Sequence, residues 1–230
     1  MTARHTPDAS SAVSAAQATR LRVNEIFYSL QGESRTVGLP TVFIRLTGCP
    51  LRCGYCDTEY AFQGGEWRTV GDLLAQARGH PTRHVTVSGG EPLAQKGCLD
   101  LLTVLCDASC DVSLETSGAL DINQVDARVA RIVDVKTPGS GEVERNLWPN
   151  LELLNPRDEV KFVLTGEEDY LWAVAVLRER GLAARCPVLF SPAWGMLEPT
   201  RLAEWILRDG LPVRMQVQLH KLLWRETRGK

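Results

Sequence analysis

The chain has 230 residues, 44% hydrophobic and 23% charged, with a formal net charge of -2 and a sequence pI near 6.1. That balance fits a globular protein with one substantial core and excludes a field strong enough to draw in nucleic acid or a membrane surface without a specific site. No apolar run reaches the roughly 18 residues needed to cross a bilayer and no signal-peptide core precedes a cleavage site, so a soluble cytoplasmic protein with a small-molecule substrate is expected.

Twelve of the first twenty residues are Ala, Ser or Thr. They show no apolar period that could pack, so residues 1–20 are expected to form a disordered tail, and residues 21–230 a single domain. The acid-poor composition of the tail also suits an organelle transit peptide, although its Arg content is low. From Leu21 onward short β-rich runs alternate with helical ones, the signature of parallel strands joined by crossover helices. Strands are predicted over Thr41–Leu46, His84–Val87, Asp111–Glu115, Arg131–Val135, Val160–Leu164, Pro187–Phe190 and Val213–Gln216. Helical spacing recurs in Val70, Leu73, Leu74 and Ala77, in Leu99, Leu102 and Cys106, and in Leu202, Trp205 and Ile206. The expected fold class is α/β. The chain is shorter than the roughly 250 residues of a full eightfold barrel, so a partial, open TIM-like barrel with reduced helices is predicted.

Seven cysteines are present, and three of them crowd between Cys49 and Cys56. A disulfide framework spreads its cysteines out, so metal or cluster ligation fits the crowding better. Cys98, Cys106, Cys110 and Cys186 lie in apolar stretches and read as small buried hydrophobes. The loop GCPLRCGYCDTEYAF gives C-x3-C-x2-C directly after the first predicted strand. Three thiolates can hold three irons of a 4Fe-4S cube and leave the fourth open to a cosubstrate. A zinc knuckle completed by His80, His84 or His220 is the competing reading, since structural zinc is four-coordinate.

A second motif, VTVSGGEPLAQ over Val85–Gln95, also follows a strand. Gly89 and Gly90 permit close backbone approach, and Glu91 offers a carboxylate that could receive an ammonium group. Taken alone, GGEP also reads as a strand-ending turn. Together the two motifs resemble the radical S-adenosylmethionine superfamily, in which the methionine amino and carboxylate groups chelate the unique iron.

More of the chain points to one member family. SLQGES at Ser29, the loop ending CDTEYAF, SGGEPLAQ, ETSG at Glu115, DVKTPGSG at Asp134, DEVKFVL at Asp158, FSPAWG at Phe190 and QLHKLLW at Gln218 resemble the 7-carboxy-7-deazaguanine synthases. The resemblance runs from about Val23 to the C-terminus. It implies ring contraction of 6-carboxy-5,6,7,8-tetrahydropterin to 7-carboxy-7-deazaguanine with loss of ammonia, a step toward queuosine and other deazapurines. The implied cofactors are a 4Fe-4S cluster, S-adenosylmethionine and Mg²⁺, with flavodoxin or ferredoxin as reductant and a homodimer as the assembly.

Carried across by position, the resemblance implies cluster ligands Cys49, Cys53 and Cys56, and Thr58 as an oxygen ligand of Mg²⁺. Leu30, Gln31, Gly32, Arg45 and Ser88 match pterin-contacting positions. Arg45 offers a planar fork for a carboxylate, and Gln31 the donor and acceptor that a pterin edge needs. An Arg inside a β run also pairs readily with Glu25 or Glu33. Tyr55, Cys56, Asp57, Gly90, Glu91, Asp134, Val135, Lys136, Ser191, Pro192, Ala193 and Trp194 match positions around S-adenosylmethionine. Asp134 and Lys136 also read as a plain surface ion pair. Glu115, at a strand end where barrels carry working residues, is the catalytic candidate, and capping of the next turn is its competing role. Ser117 and Asp134 depart from the family, which more often has Asn and Ser there. Two rivals stand beside this reading: an activase that places a glycyl radical on a partner enzyme, and a non-enzymatic zinc-binding interaction module.

Overall fold

The structure, a computed structural model, describes residues 9–225 and 227–230. Among the described residues nine strands form one open sheet: β1 Arg20–Leu30, β2 Pro40–Leu46, β3 Glu66–Thr69, β4 His84–Gly89, β5 Asp111–Thr116, β6 Ala130–Asp134, β7 Glu159–Leu164, β8 Val188–Pro192 and β9 Arg214–Met215. Their order is β3-β1-β2-β4-β5-β6-β7-β8-β9. Every pairing from β2 to β9 is parallel, whereas β1 runs antiparallel to both β2 and β3. Among the described residues the sheet does not close on itself, in line with the partial barrel expected from the sequence.

The helices are α1 Ala9–Ala18, α2 Val70–Arg78, α3 Cys98–Asp107, α4 Glu167–Glu179, α5 Pro199–Asp209 and α6 Leu219–Trp224. Among them α2, α3, α4 and α5 fill crossovers, while β5 to β6 and β6 to β7 are joined by turns and short 3-10 segments. Strand alternation explains where the core and the site lie. Val85 and Val87 of β4, Val112 and Leu114 of β5, and Val160, Phe162 and Leu164 of β7 join the buried core with the apolar faces of the helices. Their neighbours Ser88, Glu115 and Lys161 line a cavity on the other side of the sheet. One face of each strand is thus spent on stability, and the other on polar chemistry.

Two strands, β1 and β3, were not anticipated from the sequence. Of the expected tail over residues 1–20, residues 1–8 lie outside the described residues, Ala9–Ala18 form α1, and β1 begins at Arg20. Alanine is the strongest helix former, and Ala16 sits against the core. Thr19 then ties the junction down, its Oγ1 donating to Asp100 Oδ2 at 2.6 Å and its carbonyl accepting Val70 N at 2.8 Å. No described helix is long and apolar enough to cross a membrane.

Candidate active site

A cavity of about 570 Å³ opens at the C-terminal ends of the parallel strands. Its walls come from the loop after β2, the ends of β4, β5 and β6, the end of β8, the 30–33 segment after β1, and α6. This is where α/β barrels place working residues, because loops there vary without disturbing the sheet.

Cys49, Cys53 and Cys56 are free, half-buried and all face this cavity. Their loop is held by backbone bonds from Gly48 N to Ala61 O (2.8 Å), Glu91 N to Gly48 O (2.7 Å) and Gly54 N to Ser140 O (3.0 Å). Gly48 has φ +99°, a conformation that favours glycine. Arg52 adds a clamp: its Nη1 donates to the carbonyls of Cys49 (2.8 Å) and Leu51 (2.6 Å), its guanidinium lies 4.3 Å from the Phe62 ring, and its backbone N donates to Glu142 Oε1 at 2.5 Å. Burial pushes each of the three thiols above the ordinary cysteine value. Bare thiolates are therefore penalised here, and a bound cationic metal centre removes that penalty.

The donor set fits a cluster better than zinc. Among the described residues, no three His, Cys, Asp or Glu side chains converge to hold a single metal ion. His80 stacks on Tyr28 and His84 pairs with Asp111 at the opposite, N-terminal ends of the strands, while His220 lies against Gly32. Three thiols distributed along one loop suit a cube in which each takes a different iron.

Gly90 is required by the loop itself. A Cβ there would overlap the Gly48 carbonyl oxygen and stand 2.8 Å from Cys49 Cβ. Gly89 is pressed in the same way against the Leu46 carbonyl. Glu91 is fully buried and lies beside the cavity, not in its lining. Its two oxygens accept from Thr116 Oγ1 (2.9 and 3.0 Å), Ser117 N (2.7 Å), Ser117 Oγ (2.6 Å) and Leu93 N (3.0 Å). Four donors engage the carboxylate, two of them fixed backbone amides. It staples the end of β5 to the loop after β4.

Most of the other positions line the same cavity. Leu30, Gln31, Gly32, Arg45, Ser88 and Glu115 line one part of the cavity. Tyr55, Cys56, Asp57, Thr58, Gly90, Asp134, Lys136 and the run Ser191, Pro192, Ala193 and Trp194 line the rest. Val135 is the exception: its side chain turns into the hydrophobic core and its N–H is taken by Lys161 O at 2.8 Å.

Gln31 is spent largely on the protein, donating to Thr86 Oγ1 (3.1 Å) and accepting from Glu33 N (3.2 Å). Arg45 donates through Nε to Glu25 at 2.7 Å, so the anticipated Glu25 pair forms without removing Arg45 from the cavity. Burial opposes its charge, but Tyr60 and Glu25 more than compensate and raise its pKa. Ser88 Oγ donates to Glu115 Oε2 at 2.9 Å, and burial pushes the Glu115 carboxyl above its ordinary value. Thr58 Oγ1 donates to Asp57 Oδ1 at 2.8 Å, which leaves its oxygen lone pairs for a hard cation. The Asp57 carboxyl, despite burial, is held down at about 2 by Lys221 and Thr58.

Sequence reasoning missed a buried charge network on the cavity wall. Lys161 Nζ pairs with Glu33 Oε2 at 2.7 Å and lies 4.0 Å from Asp134, which itself holds Lys136 at 2.9 Å. Burial works against both lysines, but Glu33 and Asp134 keep them charged well above the ordinary lysine value. Gln216 and Gln218 also donate to Glu33 at 3.1 and 3.0 Å. Beside this network, Asp134 Oδ1 and the Tyr55 hydroxyl are buried without partners among the described residues. Two orphaned polar atoms in a cavity wall are what a polar ligand would satisfy. The remaining cysteines behave as read: Cys98, Cys106 and Cys186 are in the core, and Cys110 packs against it.

Residues 43–190 match the radical SAM superfamily. A 7-carboxy-7-deazaguanine synthase of Chlorobaculum tepidum is 47% identical over 213 residues, covering 91% of this chain and 97% of that protein. One from Koribacter versatilis is 39% identical over 225 residues, covering 91% and 100%. The crystal structure of QueE from Escherichia coli matches with a TM-score of 0.72 at 27% identity, covering 92% of this chain and 100% of that one. With a three-cysteine loop at the mouth of an open parallel sheet and relatives aligned along nearly their whole length, the chain belongs to the radical SAM superfamily and, within it, to the 7-carboxy-7-deazaguanine synthase family.

Proposed function

We propose that this chain is a 7-carboxy-7-deazaguanine synthase, a radical SAM carbon-nitrogen lyase that contracts 6-carboxy-5,6,7,8-tetrahydropterin to 7-carboxy-7-deazaguanine with loss of ammonia. The observation that carries this reading is one cavity holding both the three-thiol loop and Arg45, a carboxylate receptor that a glycyl radical activase has no need of. When bound, the 4Fe-4S cluster and S-adenosylmethionine supply the one-electron chemistry that takes a hydrogen atom from substrate carbon 6 and later returns one.

The protein's part is orientation and exclusion of water. Cys49, Cys53 and Cys56 hold the cluster. Tyr55, Asp134, Lys136 and the Ser191–Trp194 run frame S-adenosylmethionine, and the Tyr55 hydroxyl and Asp134 Oδ1, which have no partner among the described residues, meet its polar groups. Arg45 receives the substrate carboxylate. Glu115 holds a proton more tightly than an ordinary carboxyl and hydrogen-bonds Ser88, so the pair offers the pterin ring both a donor and an acceptor. Thr58 gives one oxygen to Mg²⁺, which takes the rest from water and substrate. A flavodoxin or ferredoxin reductant, a homodimeric assembly and a cytoplasmic location complete the proposal.

The test incubates reduced, cluster-loaded protein with S-adenosylmethionine, Mg²⁺ and 6-carboxytetrahydropterin deuterated at carbon 6. The expected result is 7-carboxy-7-deazaguanine by mass, with deuterium in the recovered S-adenosylmethionine. Cleavage of S-adenosylmethionine without that product would leave only the superfamily chemistry standing.

A further inference from the structure

Arg45 reaches the cavity with a single nitrogen engaged among the described residues. Its Nε donates to Glu25 Oε1 at 2.7 Å, and the same oxygen accepts the Tyr60 hydroxyl at 2.9 Å. Glu25 and Arg45 are register partners across the β1–β2 ladder, whereas Tyr60 comes from the 3-10 turn Glu59–Phe62 just past the cysteine loop. The guanidinium lies 5.8 Å from the Tyr60 ring and 6.0 Å from that of Phe27, which is itself stacked on Phe43. A guanidinium is a rigid plane with five N–H donors, and occupying its Nε edge leaves the two terminal nitrogens as the bidentate face for an anion. Held at that edge and beside two rings, a long and rotamer-rich side chain has little freedom to point elsewhere.

We propose that Glu25 and Tyr60 are positioning residues that aim the terminal nitrogens of Arg45 at the substrate carboxylate, and so set the site's preference for a carboxylated pterin over an unsubstituted one. The inference rests on the pterin reading above. Charge alone argues the opposite sign: Glu25 places a negative group beside an anion site, so its removal should tighten carboxylate binding if orientation is irrelevant. The two accounts therefore separate in a single measurement.

The experiment measures equilibrium binding to anaerobic, cluster-loaded protein with S-adenosylmethionine present, using 6-carboxytetrahydropterin and tetrahydropterin, which lacks the carboxylate. For Glu25→Ala the carboxylated ligand should weaken about tenfold, the scale of one well-placed hydrogen bond to a charged group, while the unsubstituted ligand stays within about twofold of wild type. Glu25→Gln keeps an acceptor oxygen and should bind both ligands about as wild type does. Tyr60→Phe should show a smaller loss, again only for the carboxylated ligand, and it carries the test if Glu25→Ala does not fold. Tighter binding of the carboxylated ligand by Glu25→Ala, or equal weakening of both ligands, would overturn the positioning role while the pterin reading stands. A wild-type protein that does not distinguish the two pterins overturns both.

Discussion

Replacing Glu91 separates a structural staple from a cofactor contact. In Glu91→Ala the hydroxyls of Thr116 and Ser117 can rotate to other acceptors, but the amides of Ser117 and Leu93 cannot. The Ser117 amide is fully buried and the Leu93 amide partly so. At about 1–3 kcal/mol for each buried donor left unsatisfied, the loss is roughly 3 kcal/mol. For a chain of this size that lowers the melting temperature by about 6–12 °C. Glu91→Gln should lose less, because one oxygen survives to accept from Leu93 N, although its new amide faces the Ser117 donor and keeps part of the loss. Scanning calorimetry of the variants gives the stability, and S-adenosylmethionine binding to cluster-loaded protein, well below the melting temperature, gives the cofactor contact. Binding should change only slightly. A Glu91→Ala protein that melts like wild type but no longer binds S-adenosylmethionine would show that the carboxylate serves the ligand and not the fold.

Two further outcomes follow from the same geometry. Gly90→Ala places a Cβ on the Gly48 carbonyl and against Cys49, so iron per chain after anaerobic reconstitution should fall well below the roughly four expected, with the circular dichroism unchanged; a full complement of iron refutes it. Glu115 has a carboxyl pushed above the ordinary 4.5 by burial, with Glu33 adding to the effect, so the folded state binds its proton more tightly than the unfolded state does. Wild-type stability should therefore fall as pH rises from 4.5 through the raised value, and Glu115→Gln should escape that loss, its urea midpoint gaining on wild type across the window. A difference that is constant with pH contradicts the shift.

The parallel strands were legible because each is a compact apolar run between turn residues. In contrast β1 reads Arg-Leu-Arg-Val-Asn-Glu at its start, and only Leu21 and Val23 of it are fully buried. Four-residue β3 is an edge strand with exposed Trp67, too short for a period to appear. The cysteine loop and Arg45 carry their chemistry in residue type and spacing, so they could be placed in advance. Lys161 could not: it occupies the polar phase of an alternating strand, and its partner Glu33 is 128 positions away. Nor does the sequence say on which side of the backbone a carboxylate falls. Glu91 turns inward and Glu115 outward, and only the packing of β5 against the loop after β4 decides between them.

The cysteine loop draws its shape from distant parts of the chain. Arg52 N reaches Glu142, Gly54 N reaches Ser140, and that turn is fixed in its turn by Asp169 at the start of α4, which accepts from Gly139 N at 2.7 Å and from Thr165 N at 2.9 Å. A peptide cut from residues 48 to 62 would keep all three thiols and lose this scaffolding. The shape of the cluster loop is thus a property of the whole sheet through β7 and α4, and not of its own fifteen residues.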